Sequence, residues 1–553
     1  MTTAMTFRSP IFELSSTYID DMAKLSPIGC TYLGIKGHDH ELDDFSVSGR
    51  EPSANLVNAT ITKLEGLNPI DDIDRIAKAV MLERLISSKQ LHDSYEEHTM
   101  WNVLLSPIHS IRQIFEMMAH DTAEDFSVMT ERMSKIEWSQ NTWFSCIMDM
   151  AKMGKVTARR QTLGLISTLE TIGNGGYAKF AQKIDPTEKY PRLHEFAKKA
   201  DSAAAALAVK VKNEYLPIAR VEDAFGEDRY RMWARFFTGA ELDLRATYEW
   251  GLEDLQTIND RMWKIAPRLK PGAQTLREVA DFLDESPDHT VTGNDEVVRR
   301  LKAFTAAAAD RLDGVHFDID DRIRFCDVRL APEGSASAAY YMSPSEDLSR
   351  PGTTWLPTLG KEKHGWWNLV STWYHEAIPG HHLQNAVAIL EKDRLSRFQR
   401  TEAWISGYGE GWALYAERFM DELGAFNEPG IEMGFLSGQG LRAARIVVDI
   451  GMHCGYKDKN GEVWNAESAR ELLMNYALLD RDHAISEVDR YLGWPGQAIS
   501  YKVGERVWMK ARSDAQARLG VKFDMKKFHS YALKLGPMGL DPFAAELASW
   551  TGD

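Results

Sequence analysis

A chain of 553 residues with a formal net charge of −16, 44% hydrophobic and 26% charged residues has the make-up of a globular protein, not of a disordered or fibrous one. Its acidic balance, without a dense run of Lys and Arg, argues against nucleic acid as a partner, because phosphate binding needs clustered cations. No stretch approaches the roughly 18 apolar residues of a membrane span.

The opening MTTAMTFRSPIFELSSTYID carries no apolar core of a secretion signal, so the expectation is a cytoplasmic protein without a membrane partner. Cys30, Cys146, Cys326 and Cys454 are widely spaced with no CxxC pair, as free thiols in a reducing compartment are. The oligomeric state is left open, a homodimer included.

In chain order, most segments carry helical periodicity. In Asp71–Lys89, Ala77, Val80, Met81 and Leu85 recur at three- and four-residue spacing behind an Asp-rich start, which predicts an amphipathic helix. Phe225–Leu244, with Tyr230, Trp233, Phe236 and Phe237, predicts another. Gly173-Asn174-Gly175-Gly176 and Lys270-Pro271-Gly272 read as breaks between helices. Ile323–Leu330 and Ala338–Met342 alternate as strands do. Thr353–Leu356 follows the turn signal Arg350-Pro351-Gly352 and reads as a third strand. The expected fold is mainly α, with a small sheet of about three strands over residues 323–358, just before the next helix. A helical half over 1–270 and a catalytic half over 271–553 are the expected organisation, with one continuous domain as the alternative.

The segment His375-Glu376-Ala377-Ile378-Pro379-Gly380-His381-His382 carries the chemistry. A hydrolytic zinc site needs three protein ligands, one open position and a carboxylate that can act as base. An HExxH helix supplies two His on one face and the Glu beside them. Here the fourth position after His375 is Pro379, which cannot ligate. His382 lies near the face of His375 on an ideal helix and His381 about 120° away. Pro379 and Gly380 predict a kink or bulge, and such a bulge favours His381 as second ligand, with His382 the alternative. The third ligand is expected to be Glu410, set among Gly407, Gly409 and Gly411. Three such costly helix residues signal a close helix approach. Glu417, two turns on, could replace it or orient a metal-bound His. Arg445, Asp449 and His453 share a helical face, and His453 is a candidate oxyanion donor.

HEAIPGHHLQ followed by YGEGWALYAE resembles a large bacterial family catalogued as a domain of unknown function, whose members are regarded as candidate zinc metallopeptidases. The arrangement also looks like the thermostable carboxypeptidase, angiotensin-converting enzyme and neurolysin group: mostly helical proteins with a deep groove and a small sheet beside the metal helix. Tubulin-tyrosine carboxypeptidases, with a lengthened HExxxH and a downstream EGLA whose Glu binds zinc, look like a further relative and imply the same role for Glu410. The resemblance covers most of the chain and is strongest over about 323–510. The segment Pro495-Gly496-Gln497-Ala498-Ile499-Ser500-Tyr501-Lys502 resembles a second signature of the family. It implies Tyr501 as a donor to the reacting carbonyl, and Gln497, Arg490 and Lys502 as substrate contacts, a cation being needed to receive a carboxylate. Arg350 precedes what the resemblance implies is an edge strand that pairs with substrate backbone, or it braces the turn.

The expected activity is zinc-dependent, carboxypeptidase-like hydrolysis of peptides, with Glu376 as general base and His375, His381 and Glu410 on the metal. Hydrolysis of a small amide, lactone or conjugate, and a silent binding protein on a peptidase scaffold, are the alternatives. Two His and one Glu also suit iron or manganese.

Overall fold

A computed structural model describes residues 7–331, 338–345 and 348–552. The expected sheet segment therefore contains two stretches, 332–337 and 346–347, outside the described residues. The fold is mainly α with a few short strands. Among the described residues, no helix is long and apolar enough to cross a membrane.

The chain divides into two compact units, one running to Phe225 and taking in Asp489–Trp494, the other holding Gly226–Val488 and the chain from Pro495. The division falls at Phe225–Gly226. Residue 270, where a change was expected, is only the C-cap of the helix Leu244–Leu269 inside the second unit.

Among its described residues the first unit is built of helices joined by turns and loops. Its Asp72–Asp93 helix is capped by Asp71, whose carboxylate accepts from the Asp74 amide over 3.0 Å, and it buries Ala77, Val80, Met81 and Leu85. Pro191–Lys210 packs against several neighbours. It can do so because its inner face is Ala197, Ala200, Ala204 and Ala208, all buried, which lets other backbones come close. A Cβ on Gly173 would stand 2.9 Å from that of Ala205. The expected break at Gly173–Gly176 separates Arg159–Gly173 from Gly176–Ile184.

In the second unit, strands β1 (Thr290–Thr292), β2 (Asp327–Leu330), β3 (Tyr340–Met342), β4 (Thr353–Leu356) and β5 (Lys363–Gly365) form two small sheets. β1 pairs antiparallel with β5. The other sheet has the order β2-β4-β3, parallel on the β2 side and antiparallel on the β3 side. β4 is therefore central and has no edge to offer a substrate, a correction to the reading that made it the edge strand. Ile323 lies in a 3-10 turn, so the first strand starts later than its alternation suggested.

Four helices follow the sheet and are central to the second unit: the His375 helix (Trp366–Glu376), the Glu410 helix (Ser406–Glu422), the Arg445 helix (Pro429–Cys454) and the Tyr501 helix (Ser500–Leu519). Glycines set how closely they cross. A Cβ on Gly411 would meet the Gly504 Cα at 2.5 Å, and one on Gly434 the Trp367 carbonyl at 1.9 Å. The glycine-rich start of the Glu410 helix thus marks its crossing with the Tyr501 helix.

Candidate metal centre

The His375 helix buries Leu369, Val370 and Trp373 and ends at Glu376. Ala377 and Gly380 leave helical geometry, and a second helix, His381–Leu390, starts at once. The expected distortion is thus a full break between two helices. Gly380 is needed there because a Cβ would lie 1.8 Å from the His375 carbonyl oxygen. The break brings the His381 ring to 4.8 Å from the His375 ring, nearly perpendicular at 88°.

The Glu410 helix supplies the third group. Its Oε2 lies 3.3 Å from His375 Nε2 and 3.5 Å from His381 Nε2. One ligand atom from each residue falls within 4.8 Å of the other two. His382 points elsewhere: its Nε2 faces the Ile323 carbonyl at 2.7 Å and its Nδ1 the Tyr341 hydroxyl at 3.0 Å. His382 thus ties the break to the small sheet. Burial pushes its pKa down to about 4, against the smaller pull of the Ile323 carbonyl.

Glu417 lies behind His375, with Oε1 at 2.8 Å from Nδ1 and Oε2 accepting from the Ser371 hydroxyl at 2.5 Å. A carboxylate on Nδ1 holds a proton there, so that Nε2, which faces Glu410 and His381, is the nitrogen that would release its proton to take a metal. His381 Nδ1 is buried and, among the described residues, has no such partner.

Burial disfavours the charged form of His375, but its bonds to Glu410 and Glu417 outweigh that and hold its pKa up to about 9. Burial likewise works to raise the Glu410 carboxyl, and His375 and His381 outweigh it, holding it well below the usual range. Glu376 is buried, and burial raises its pKa against the opposing pull of His375 and His381. Two imidazole nitrogens, a carboxylate oxygen and a carboxylate behind the first imidazole form a donor set that fits zinc.

A cleft of about 1190 Å³ opens over this cluster. His375, Glu376, His381, Glu410 and Glu417 line it together with Tyr501, Trp404, Arg442 and Arg445. The Tyr501 ring stacks 6.4 Å from that of His375. Trp404 stands 6.1 Å from His381, and Gly409 makes room for its indole. Tyr340 and Tyr341 of the edge strand β3 also face the cleft. Ser371, Trp404 and Arg442 were not singled out from the sequence. A cation amid the apolar run of the Arg445 helix was the available signal for Arg442.

Other expected site residues go elsewhere. Lys502 is buried and bound to Glu505 at 2.7 Å, Gln439 at 2.8 Å and Asp254 at 3.0 Å. Two carboxylates already neutralise it, so it is not the cation for a substrate carboxylate. His453 is buried 3.6 Å from Asp449 and stacked on Tyr230, while Tyr230 donates to Asp449 over 2.8 Å. That is a core network, not an oxyanion donor. Arg445 pairs with Glu487 at 2.8 Å. Gln497 donates to the Ser406 hydroxyl at 3.3 Å. Arg350 is exposed in the turn closed by the Ser345 amide and its own carbonyl at 3.0 Å. Arg490 belongs to the first unit, with its guanidinium over the Tyr491 ring.

A second group, His92, Glu97 and His98, also brings ligand atoms within 4.8 Å of one another, in the first unit. There Glu97 contacts His92 at 2.6 Å and faces Arg50 at 4.0 Å. A fixed cation beside the only carboxylate of the trio weakens it as a metal site.

A family model described as "Bacterial protein of unknown function (DUF885)" matches residues 27–547. No curated protein matches the chain. Among solved structures, the chain is similar to a "putative lipoprotein" from Colwellia psychrerythraea, at 21% identity over 98% of both chains and a TM-score of 0.85. It is also similar to a "putative lipoprotein of unknown function" from Shewanella oneidensis, at 18% identity over 98% of this chain and 100% of that one, with a TM-score of 0.77. At these identities the likeness is one of fold. The family match spans nearly the whole sequence, and the chain belongs to this bacterial family of unknown function, DUF885.

Proposed function

We propose that this protein is a zinc-dependent hydrolase of peptide bonds. One observation carries the reading: His375 Nε2, His381 Nε2 and Glu410 Oε2 converge in the lining of a large cleft, and Glu376 lines it beside them. His375, His381 and Glu410 would hold the metal, and Glu417 would orient His375. Bound zinc supplies a Lewis acid and lowers the pKa of water toward neutrality.

Glu376 accepts the proton of the attacking water and delivers it to the leaving amine, the work of a general base that becomes a general acid. Its burial raises its proton affinity, which suits the second half of that task. Tyr501, stacked beside His375 in the cleft, donates its phenol proton as a hydrogen bond to the oxygen on which charge develops. The Trp404 ring beside His381 narrows the site and excludes water.

A volume of about 1190 Å³ exceeds the range of roughly 300–1,000 Å³ typical of small-ligand pockets, which favours a peptide over a small amide or lactone. The test is a peptide-library digest with the zinc-loaded protein and its Glu376→Gln variant, with metal content measured on both. Hydrolysis by the first, none by the second, and equal zinc in both support the reading. Full activity in the variant overturns it.

A further inference from the structure

We propose that Arg442 receives the C-terminal carboxylate of the substrate, so that the cleft selects peptides with a free C-terminus; this rests on the reading of the cleft as a peptide-hydrolysing site. Of the two arginines that line the cleft, Arg445 is committed, with Nε and Nη2 both on Glu487 at 3.2 and 2.8 Å. Arg442 is not. Its Nη1 donates to the Gly438 carbonyl over 3.1 Å, one turn back on its own helix. Its Nε is buried and, among the described residues, has no partner. Among the described residues no carboxylate stands within ion-pair distance of it.

The acidic groups that face Arg442 do not use it up. Glu417, near its Nη1 side, is bound to His375 and Ser371, and Glu376 is reserved by its place beside the metal ligands. A guanidinium has five donors in a planar fork that matches a carboxylate two by two. A buried donor left unpaired costs free energy that an incoming anion recovers.

Its place is also suitable. The guanidinium carbon is 5.9 Å from the centre of the Tyr501 ring, which is stacked on His375. An anchored carboxylate one aromatic ring from His375 leaves one of the last peptide bonds near the metal ligands, each extended residue spanning roughly 3.5 Å.

The experiment compares an amino-blocked tripeptide with a free C-terminal carboxylate and its C-terminal amide. Binding of each is measured by calorimetry to zinc-loaded Glu376→Gln protein and to the Glu376→Gln/Arg442→Gln double variant. Turnover of each is measured on zinc-loaded wild type, Arg442→Gln and Arg442→Lys. The acid is expected to bind at least about 30-fold tighter than the amide, the range of a charged hydrogen-bonded pair. That preference disappears in the double variant. In turnover, Arg442→Gln raises KM for the acid and leaves the amide within about threefold, and Arg442→Lys recovers part of the loss. Equal binding of acid and amide overturns the proposal. So does an equal fall in kcat on both substrates in Arg442→Gln, which would make Arg442 a donor to the reacting oxygen. A preserved binding preference without any cleavage would overturn the hydrolase reading and leave the carboxylate site standing.

Discussion

Glu417 Oε1 stands 2.8 Å from His375 Nδ1 and thereby sets which nitrogen of that imidazole faces Glu410 and His381. Replacing Glu417 by Gln removes the charge that fixes the ring's tautomer. Zinc affinity is expected to fall about 10–100-fold, the usual cost of losing such a partner, with the far-ultraviolet circular dichroism unchanged. Competition with a chromophoric chelator measures it. Unaltered affinity would mean that Glu417 serves packing alone.

Gly380 is the hinge of the site. A side chain there would run into the His375 carbonyl, so Gly380→Ala must push the His381 helix away. The expected result is a stability loss of about 1–3 kcal/mol, as overpacking brings, together with loss of bound zinc. Denaturant titration and metal analysis read the two effects. A stable variant with full metal content would refute the geometric account of the break.

Lys502 tests structure against substrate binding. Removing one partner of a buried ion-pair network leaves uncompensated charge and costs about 3–5 kcal/mol. Lys502→Met is therefore expected to be strongly destabilised, since Asp254 and Glu505 both lose Lys502 and Glu505 keeps only Arg418 at 3.4 Å. At a temperature where it remains folded, its KM should match that of wild type. A KM raised tenfold with full stability would return Lys502 to the substrate site.

The acid limb of stability should show two buried histidines. Burial lowers His382 to about 4 and His529 to about 3, each against a smaller opposing pull from a backbone carbonyl. The unfolded chain takes up protons near pH 6.5 and the folded protein does not. Each group's stabilisation is thus complete above pH 6.5 and is lost as pH falls toward the folded value, at roughly 1.4 kcal/mol per pH unit. Urea midpoints between pH 7 and pH 4.5 should fall less steeply in His529→Gln than in wild type. Parallel slopes would show that His529 titrates normally.

One metal ion per chain is expected. Arg50 occupies the electrostatic role of a cation beside Glu97, so His92→Ala should leave zinc content unchanged, whereas His375→Ala should abolish it. Elemental analysis after dialysis against a mild chelator decides it, and two ions per chain would contradict the assignment.

Periodicity sufficed for the helical body, because a pattern such as Ala77, Val80, Met81 and Leu85 depends only on which face meets the core. The three strands of the small sheet were legible too, but not that β4 lies between the other two. Strand order is a matter of long-range pairing, and alternation along one strand says nothing of its neighbours. The same holds for Lys502, His453 and Arg445, where spacing showed polar groups on helices and only the packed partners Glu505, Asp449 and Glu487 revealed them as internally satisfied.

The segment from His375 to His382 divides along the same line. The donor groups were legible from residue types alone: the imidazoles and the Glu376 carboxylate of this segment, and a second carboxylate, Glu410, among glycines. The distortion was legible as well, since Pro379 and Gly380 cannot continue a tight helix. Which histidine turns inward was decided by tertiary structure. The break restarts the helix at His381, the 3-10 turn before the small sheet engages His382 through Ile323 and the sheet engages it through Tyr341, and the Glu410 and Tyr501 helices cross closely at Gly411 and Gly504. Ligand identity is a local property of side chains, whereas their convergence depends on backbone approach between elements far apart in the chain.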